Sequence, residues 1–337
     1  MRTVFITGTA GFIGFHLAQL MLDEGFRVVG YDGMTDYYDV DLKRRRHQIL
    51  LQNQNFSCTE GMLEDDALLS STVDAACPDV IVHLAGQAGV RYSLENPRAY
   101  MESNVMGTFN VMECARRHAI DHLLMASTSS IYGANTEMPF TEAQPANTPL
   151  TLYAATKRAN EHMGHCYAHL WNIPTTMFRF FTVYGPYGRP DMALFKFVKA
   201  GLSGEAIDVY GHGRQARDFT YVTDLVRGIR LLVDVPPVQP ESPEDIAEED
   251  SLSAAAPYRV VNIGNGTKVP LMDFILAIEK VLGITLEKNF MEMQKGDVQE
   301  TWADNRLLQR LTGYKPQTDV AEGVGHFVTW YRDYYGV

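Results

Sequence analysis

The chain has 337 residues, 46% of them hydrophobic and 21% charged, enough for a sizeable core and about two domains. Its 29 basic residues against 41 acidic ones leave a formal charge of −12, which repels phosphate backbones and argues against nonspecific nucleic-acid binding. No run approaches the roughly 18 apolar residues of a membrane span, and the opening MRTVFITGTAGFIG lacks the features of a secretion signal. Cys58, Cys77, Cys114 and Cys166 are scattered without a CxxC pair, which reads as a reduced, cytoplasmic protein with neither a disulfide framework nor a zinc site.

In chain order, TVFIT (residues 3–7) reads as a buried strand, Phe12–Glu24 as a helix and RVVGY (27–31) as a second strand. VIVHL (80–84), a helix around Val105–His118 and HLLMA (122–126) continue the pattern. A long helix over Tyr153–Trp171 and the strand TTMFRFF (175–181) follow. Strands alternating with helices predict an α/β fold: a Rossmann-type, doubly wound parallel sheet with helices on both faces over residues 1–186. From residue 187 the rhythm breaks into short strands and Gly-rich turns, predicting a smaller C-terminal α/β substrate-binding region, some of whose segments return to the first domain. Within it, IDVYGHGRQARDFTYV reads as two strands around a turn. Residues 235–257 hold six acidic residues, no basic ones and several prolines, which predicts a solvated, mobile loop.

Two motifs carry chemistry. Gly8, Gly11 and Gly14 lie in GTAGFIG, directly after a strand and opening a helix, where glycine lets the backbone approach a pyrophosphate at the helix N-terminus. Asp32, 18 residues after Gly14 and at the end of the second strand, suits the hydroxyls of an adenosine ribose and repels a 2′-phosphate, which favours NAD over NADP. Arg44, Arg45 and Arg46 lie too far along to be the usual phosphate partners. The second motif is Tyr153-Ala154-Ala155-Thr156-Lys157, whose spacing sets Tyr153 and Lys157 on one helix face. A nearby ammonium lowers a phenol's pKa and makes it a usable general base.

Together these motifs resemble the short-chain dehydrogenase/reductase family. The Gly-x-x-Gly-x-x-Gly spacing and the length point to its extended, sugar-nucleotide-modifying branch. HLAGQAGVRYS (83–93), STSSIYG (127–133), RFFTVYGPYGRPDM (179–192), RDFTYVTDLVRGI (217–229), NIGNG (262–266) and GDVQETWAD (296–304) extend the likeness over essentially the whole chain. The resemblance implies a Thr128–Tyr153–Lys157 catalytic set and an NAD site formed by Gly8, Gly11, Phe12, Ile13, Gly14, Asp32, Leu63, Ala85, Gln87 and Asn104 along with Tyr153 and Lys157. Leu63 enters because Met62 stands where relatives often carry an adenine-contacting Asp.

Residues beside the triad separate the branch's chemistries. Dehydratases carry an acidic pair after the Thr, and UDP-glucuronate decarboxylase-like enzymes a Glu two residues after it; here both positions are serines, Ser129 and Ser130. With QAGVRYS, FTVYGPYGRPDM and the acidic insertion, the chain most resembles the UDP-glucuronate 4-epimerases. That resemblance implies interconversion of UDP-glucuronate and UDP-galacturonate through a 4-keto intermediate with tightly bound NAD, for polysaccharide biosynthesis. It also implies substrate contacts from Thr128, Ser129, Ser130, Tyr153 and Thr182, with Arg189 and Arg217 for the diphosphate and Asp297 for the nucleotide's sugar. A homodimer built on the helices near Met101–His118 and Tyr153–Trp171 is implied as well. Arg91 suits either cofactor or substrate. Two rivals stand beside this reading: a 4-epimerase of a neutral UDP-hexose or UDP-N-acetylhexosamine, and an NAD-sensing regulator without turnover. His162, His165 and His169 fall at helical spacing without a carboxylate to complete a metal site, and His83 reads as a core histidine at a strand end.

Overall fold

The computed structural model describes residues 1–337. The strands in chain order are β1 (Thr3–Thr7), β2 (Arg27–Asp32), β3 (Phe56–Glu60), β4 (Val80–His83), β5 (His122–Thr128), β6 (Thr175–Phe180), β7 (Thr182–Tyr184), β8 (Ile207–Val209), β9 (Ala216–Arg217), β10 (Phe219–Tyr221), β11 (Tyr258–Ile263), β12 (Val269–Pro270), β13 (Lys288–Phe290) and β14 (Glu300–Thr301). Seven of them form one parallel sheet in the order β11-β6-β5-β4-β1-β2-β3, with β1 hydrogen-bonded to β2 on one side and β4 on the other. The order reverses between β1 and β4, and in open parallel sheets that crevice, beyond the carboxyl ends of the strands, is where ligands bind.

Strand alternation divides the core. Val4 and Ile6 join Val28, Val80, Val82, Leu124 and Phe178 under the helices Phe12–Asp23, Val222–Leu232 and Arg306–Thr312. Phe5 points to the opposite face, with Ile81, Leu123, Met125 and Met177, under Asp66–Ala76, Thr108–Arg117 and Leu152–Trp171. All five residues of β1 are buried, as expected of a strand covered on both faces. A third cluster, including Phe195, Phe197, Val209, Phe219, Phe274 and Phe327, holds the C-terminal region together.

Late segments join the main sheet, and two further features differ from the sequence reading. β11, Val222–Leu232 and Arg306–Thr312 lie on the main sheet, so the first compact unit draws in segments from well beyond residue 187. β8 and β10 do not pair with each other; they run parallel to β13 and β7 respectively. The chain between them passes through Gly211, His212 and Gly213, all left-handed (φ 60°, 52° and 73°), and that turn directs it away from a hairpin. The acidic stretch 235–257 is tied down in its second half rather than free. Asp250 pairs with Arg259 at 3.0 Å, both side chains under a tenth exposed, and Glu249 pairs with Arg306 at 2.8 Å. His165 Nε2 lies 2.8 Å from the Ser253 hydroxyl and His169 Nδ1 2.7 Å from the Ala255 carbonyl. The loop's second half thus meets arginines from two other segments, Arg259 of β11 and the helix Arg306–Thr312, where Arg310 also donates to the Glu248 carbonyl.

Candidate active site

The glycine turn is shaped by what lies against it. A Cβ on Gly8 would fall 2.8 Å from the Ala85 backbone nitrogen, and one on Gly14 only 2.0 Å from the Gly8 carbonyl oxygen, so neither position accepts a side chain. Asp32 closes the turn from β2: its carboxylate accepts the Ala10 and Met34 backbone N–H groups, each at 2.9 Å. On the other side, Thr7 Oγ1 accepts the N–H groups of Leu84 and Ala85, so its own proton goes to His83 Nδ1, 2.7 Å away. That leaves His83 Nε2 to donate to Thr108 Oγ1 at 3.0 Å. Burial drives the His83 pKa down to about 3, and the residue is a neutral core linker between two strands and a helix.

The long helix begins at Leu152, where the Thr151 side chain accepts the Ala154 N–H. It presents Tyr153 and Lys157 to a cavity of about 440 Å³, within the usual range for a small-molecule site. Gly8, Gly11, Phe12, Ile13, Gly14, Asp32, Leu63, Ala85, Gln87, Thr128, Tyr153, Lys157 and Arg189 line this one space. Lys157 Nζ donates to the Ala126 carbonyl at 3.1 Å, and burial, with no acid to offset it, lowers its pKa to about 8. Tyr153 departs from the sequence expectation: burial pushes its phenol upward, opposed by a hydrogen bond with Thr128 and by the field of Arg189. Desolvation of the phenolate outweighs those two contributions, and Lys157 is not among the groups that lower it. Burial works against the Arg189 charge too, but Asp191, bonded at 3.0 and 2.5 Å, outweighs it and keeps the guanidinium charged.

Other expected residues sit elsewhere. Asn104 is fully buried, its Oδ1 accepts the Gln87 N–H at 2.7 Å, and its Nδ2 donates to the Gln87 carbonyl and to Thr156. Both ends of its amide are engaged in holding the Gln87 loop, and it does not line the cavity. Ser129 and Ser130 follow Thr128 in a single helical turn outside the lining, where Ser130 Oγ accepts the Thr128 hydroxyl at 3.2 Å. Thr182 lines a small adjoining apolar pocket that shares Phe12, Val183, Arg189 and Met192 with the main cavity. Arg217 spends its guanidinium on the carbonyls of Ala216, Val298 and Gln299, and Asp297 pairs with Arg91 at 3.4 Å. Neither member of that pair lines the cavity, and a Cβ on neighbouring Gly296 would fall 2.8 Å from Thr151 Cγ2. Sequence reasoning missed the segment 35–43: Thr35, Asp36, Tyr37, Tyr38 and Lys43 all line the cavity. Tyr37 donates to Asp191 at 3.1 Å, and Lys43 Nζ to the Thr35 carbonyl at 2.5 Å.

The residues fit a dinucleotide, with a turn that only glycine can form at the sheet's switch point, a carboxylate at the end of β2, and Lys157 facing the same space. Fold and site define a Rossmann-type enzyme of the extended short-chain dehydrogenase/reductase class. The family model described as GDP-mannose 4,6 dehydratase matches residues 5–327. The chain belongs to this family of NAD-dependent sugar-nucleotide epimerases and dehydratases. A probable UDP-glucuronate 4-epimerase of Rhizobium meliloti (strain 1021) is 56% identical over 98% of this chain and 97% of its own. UDP-glucuronate 4-epimerase 3 of Arabidopsis thaliana is 41% identical over 99% of this chain and 77% of its own. Among solved structures, UDP-glucuronic acid 4-epimerase from Bacillus cereus, in complex with UDP-glucuronic acid and NAD, superposes with a TM-score of 0.87. It is 31% identical, with 99% of this chain and 100% of that one covered.

Proposed function

We propose that this protein is a UDP-glucuronate 4-epimerase that interconverts UDP-glucuronate and UDP-galacturonate, with Thr128, Tyr153 and Lys157 as its reacting set. One observation carries the reading: these three side chains line the same continuous cavity as the glycine turn and Arg189. NAD bound against the turn accepts the C4 hydride of the sugar and returns it to the other face. Tyr153 takes the proton of the C4 hydroxyl and later gives it back, while Thr128 shares that hydrogen bond. Lys157 holds ribose hydroxyls, while the charge of Arg189 and the hydrogen bond with Thr128 favour the phenolate. Bringing a buried phenol into play demands that charge, because burial alone raises the Tyr153 pKa.

A 4-keto glucuronate is a β-keto acid prone to losing CO2. Ser129, Ser130 and Thr182 restrain the carboxylate in an orientation that disfavours the cleavage, using neutral donors that deliver no proton. Arg189, already at the cavity wall, takes one diphosphate oxygen. Arg217 and Asp297 turn from their present partners to the diphosphate and the nucleotide's sugar. We place the active species in a homodimer, since Met106, Phe109, Leu170 and Trp171 are exposed on the two helices expected to meet.

The test is to incubate the purified protein with a panel of UDP-sugars and resolve the epimers. Conversion of UDP-glucuronate well ahead of UDP-glucose and UDP-N-acetylglucosamine supports the reading. Preference for a neutral sugar sinks the substrate assignment. Binding of NAD without reduction of the cofactor by any UDP-sugar leaves only the sensor.

A further inference from the structure

Arg46 is the largest fully buried side chain of the molecule, and every hydrogen-bond partner it has is neutral. Its guanidinium donates to the Ala10 carbonyl at 2.6 Å, to the Tyr38 hydroxyl at 2.7 Å and to the Tyr187 carbonyl at 2.7 Å, while Nε has no partner. A buried cation without a carboxylate is costly, and such a group persists where its surroundings require it. Those three partners belong to three separate pieces of the site. Ala10 is the middle of the glycine turn, and its N–H is already held by Asp32, so the residue is gripped at both ends. Tyr38 lines the cavity. Tyr187, in the left-handed region at φ 55°, starts the loop that carries Arg189 into the same cavity.

We infer that Arg46 is a positioning residue for the cofactor: by holding the Ala10 carbonyl back from the cavity, it keeps the turn's N–H side directed at a pyrophosphate and locks the Arg189 loop to that turn. Asp32, at the other end of Ala10, and Lys43, whose Nζ lies 4.5 Å from the Tyr38 ring centroid, are the other charges at this joint, and a dianion on the far side of the turn balances its two cations. The sequence reading set Arg46 aside as too distant for phosphate, and by direct contact it is; it acts through the Ala10 peptide. The planar fork is what the task requires, because one ammonium cannot meet all three acceptors in this arrangement. The inference concerns NAD and is independent of which UDP-sugar is used.

The experiment measures dissociation constants for NAD and for adenosine, on protein freed of nucleotide, for wild type, Arg46→Lys, Arg46→Met and Arg44→Ala. Arg44 serves as the control: it is two positions away, exposed and paired only with Asp41 at 3.4 Å. Arg46→Lys is expected to bind NAD about tenfold or more weakly, as the loss of a hydrogen bond from a charged group allows, with adenosine affinity within about twofold of wild type. Arg46→Met should weaken NAD further, and Arg44→Ala should change neither ligand. Arg46→Met failing to fold leaves the test intact, because Arg46→Lys retains the charge and much of the volume. NAD affinity of Arg46→Lys within twofold of wild type, or equal losses for NAD and adenosine, would overturn the role.

Discussion

At the scale of single residues, Tyr153 sits between opposing influences. Tyr153→Phe keeps nearly all the packing volume and removes the base, so it should fold, retain NAD and lose about 10²–10⁴-fold in turnover. Turnover near wild type would eliminate Tyr153 as the acid–base group. Ser130 is a finer case, since its Oγ accepts the Thr128 hydroxyl. Ser130→Ala should slow every substrate somewhat by freeing Thr128. It should slow UDP-glucuronate by roughly a further ten- to a hundredfold over UDP-glucose, the value of a hydrogen bond to a charged group, with some UDP-pentose formed. Equal losses on both sugars, and no pentose by mass spectrometry, would remove the carboxylate role.

Burial of neutral imidazoles gives a prediction on stability. His83 and His122 are at most 1% exposed, and burial lowers both pKa values to about 3. The folded values lie below the unfolded value, so between them the unfolded chain binds more protons. Their contribution is fully present above the ordinary histidine pKa of about 6.5 and is lost as pH falls toward the folded value. The urea midpoint should therefore drop steadily from pH 6.5 to 5, before most carboxylates titrate, at up to about 1.4 kcal/mol per pH unit for each histidine. His122→Gln, which can still bond Thr176, should flatten that slope. A midpoint constant across this range contradicts the neutral assignment.

At the scale of elements, the buried strands were readable because β1, β4 and β5 are apolar runs with sharp ends, and their boundaries fall within a residue or two of the pattern. β3 gives no such run: FSCTE is an edge strand with only Phe56 buried. The turn GTAGFIG and the pair Tyr153/Lys157 could be located because local spacing alone sets their geometry. Residues 35–43 could not, because tertiary links such as Tyr37 to Asp191 and Arg46 to Tyr187 bring that segment to the cavity. The partners of Asn104 were hidden for a related reason. It lies in a π-helical stretch, Met101–Gly107, that precedes the regular helix Thr108–Arg117 and turns its amide onto the Gln87 loop. These elements expose Met106 and Phe109, and the helix Leu152–Trp171 exposes Leu170 and Trp171. Phe109→Glu should convert a dimer to a monomer in sedimentation velocity at micromolar concentration, while wild type sediments as a dimer. A monomeric wild type would contradict the helix-face assembly.

For the whole molecule, the sheet's switch point, the glycine turn and the Tyr153 helix border one enclosure, to which the chain beyond residue 187 adds Arg189 and Met192. No helix is long and apolar enough to cross a membrane. The central claim is that this enclosure reverses C4 of a uronic acid and keeps its carboxylate. The most direct measurement is to incubate the purified protein with UDP-glucuronate alone and follow the nucleotide-sugar products by NMR and mass together. The account predicts UDP-galacturonate at unchanged mass, approaching a fixed ratio with the substrate, with no added NAD and no CO2 release. Recovery of unreacted UDP-glucuronate, or of a UDP-pentose lighter by CO2 as the main product, would contradict it.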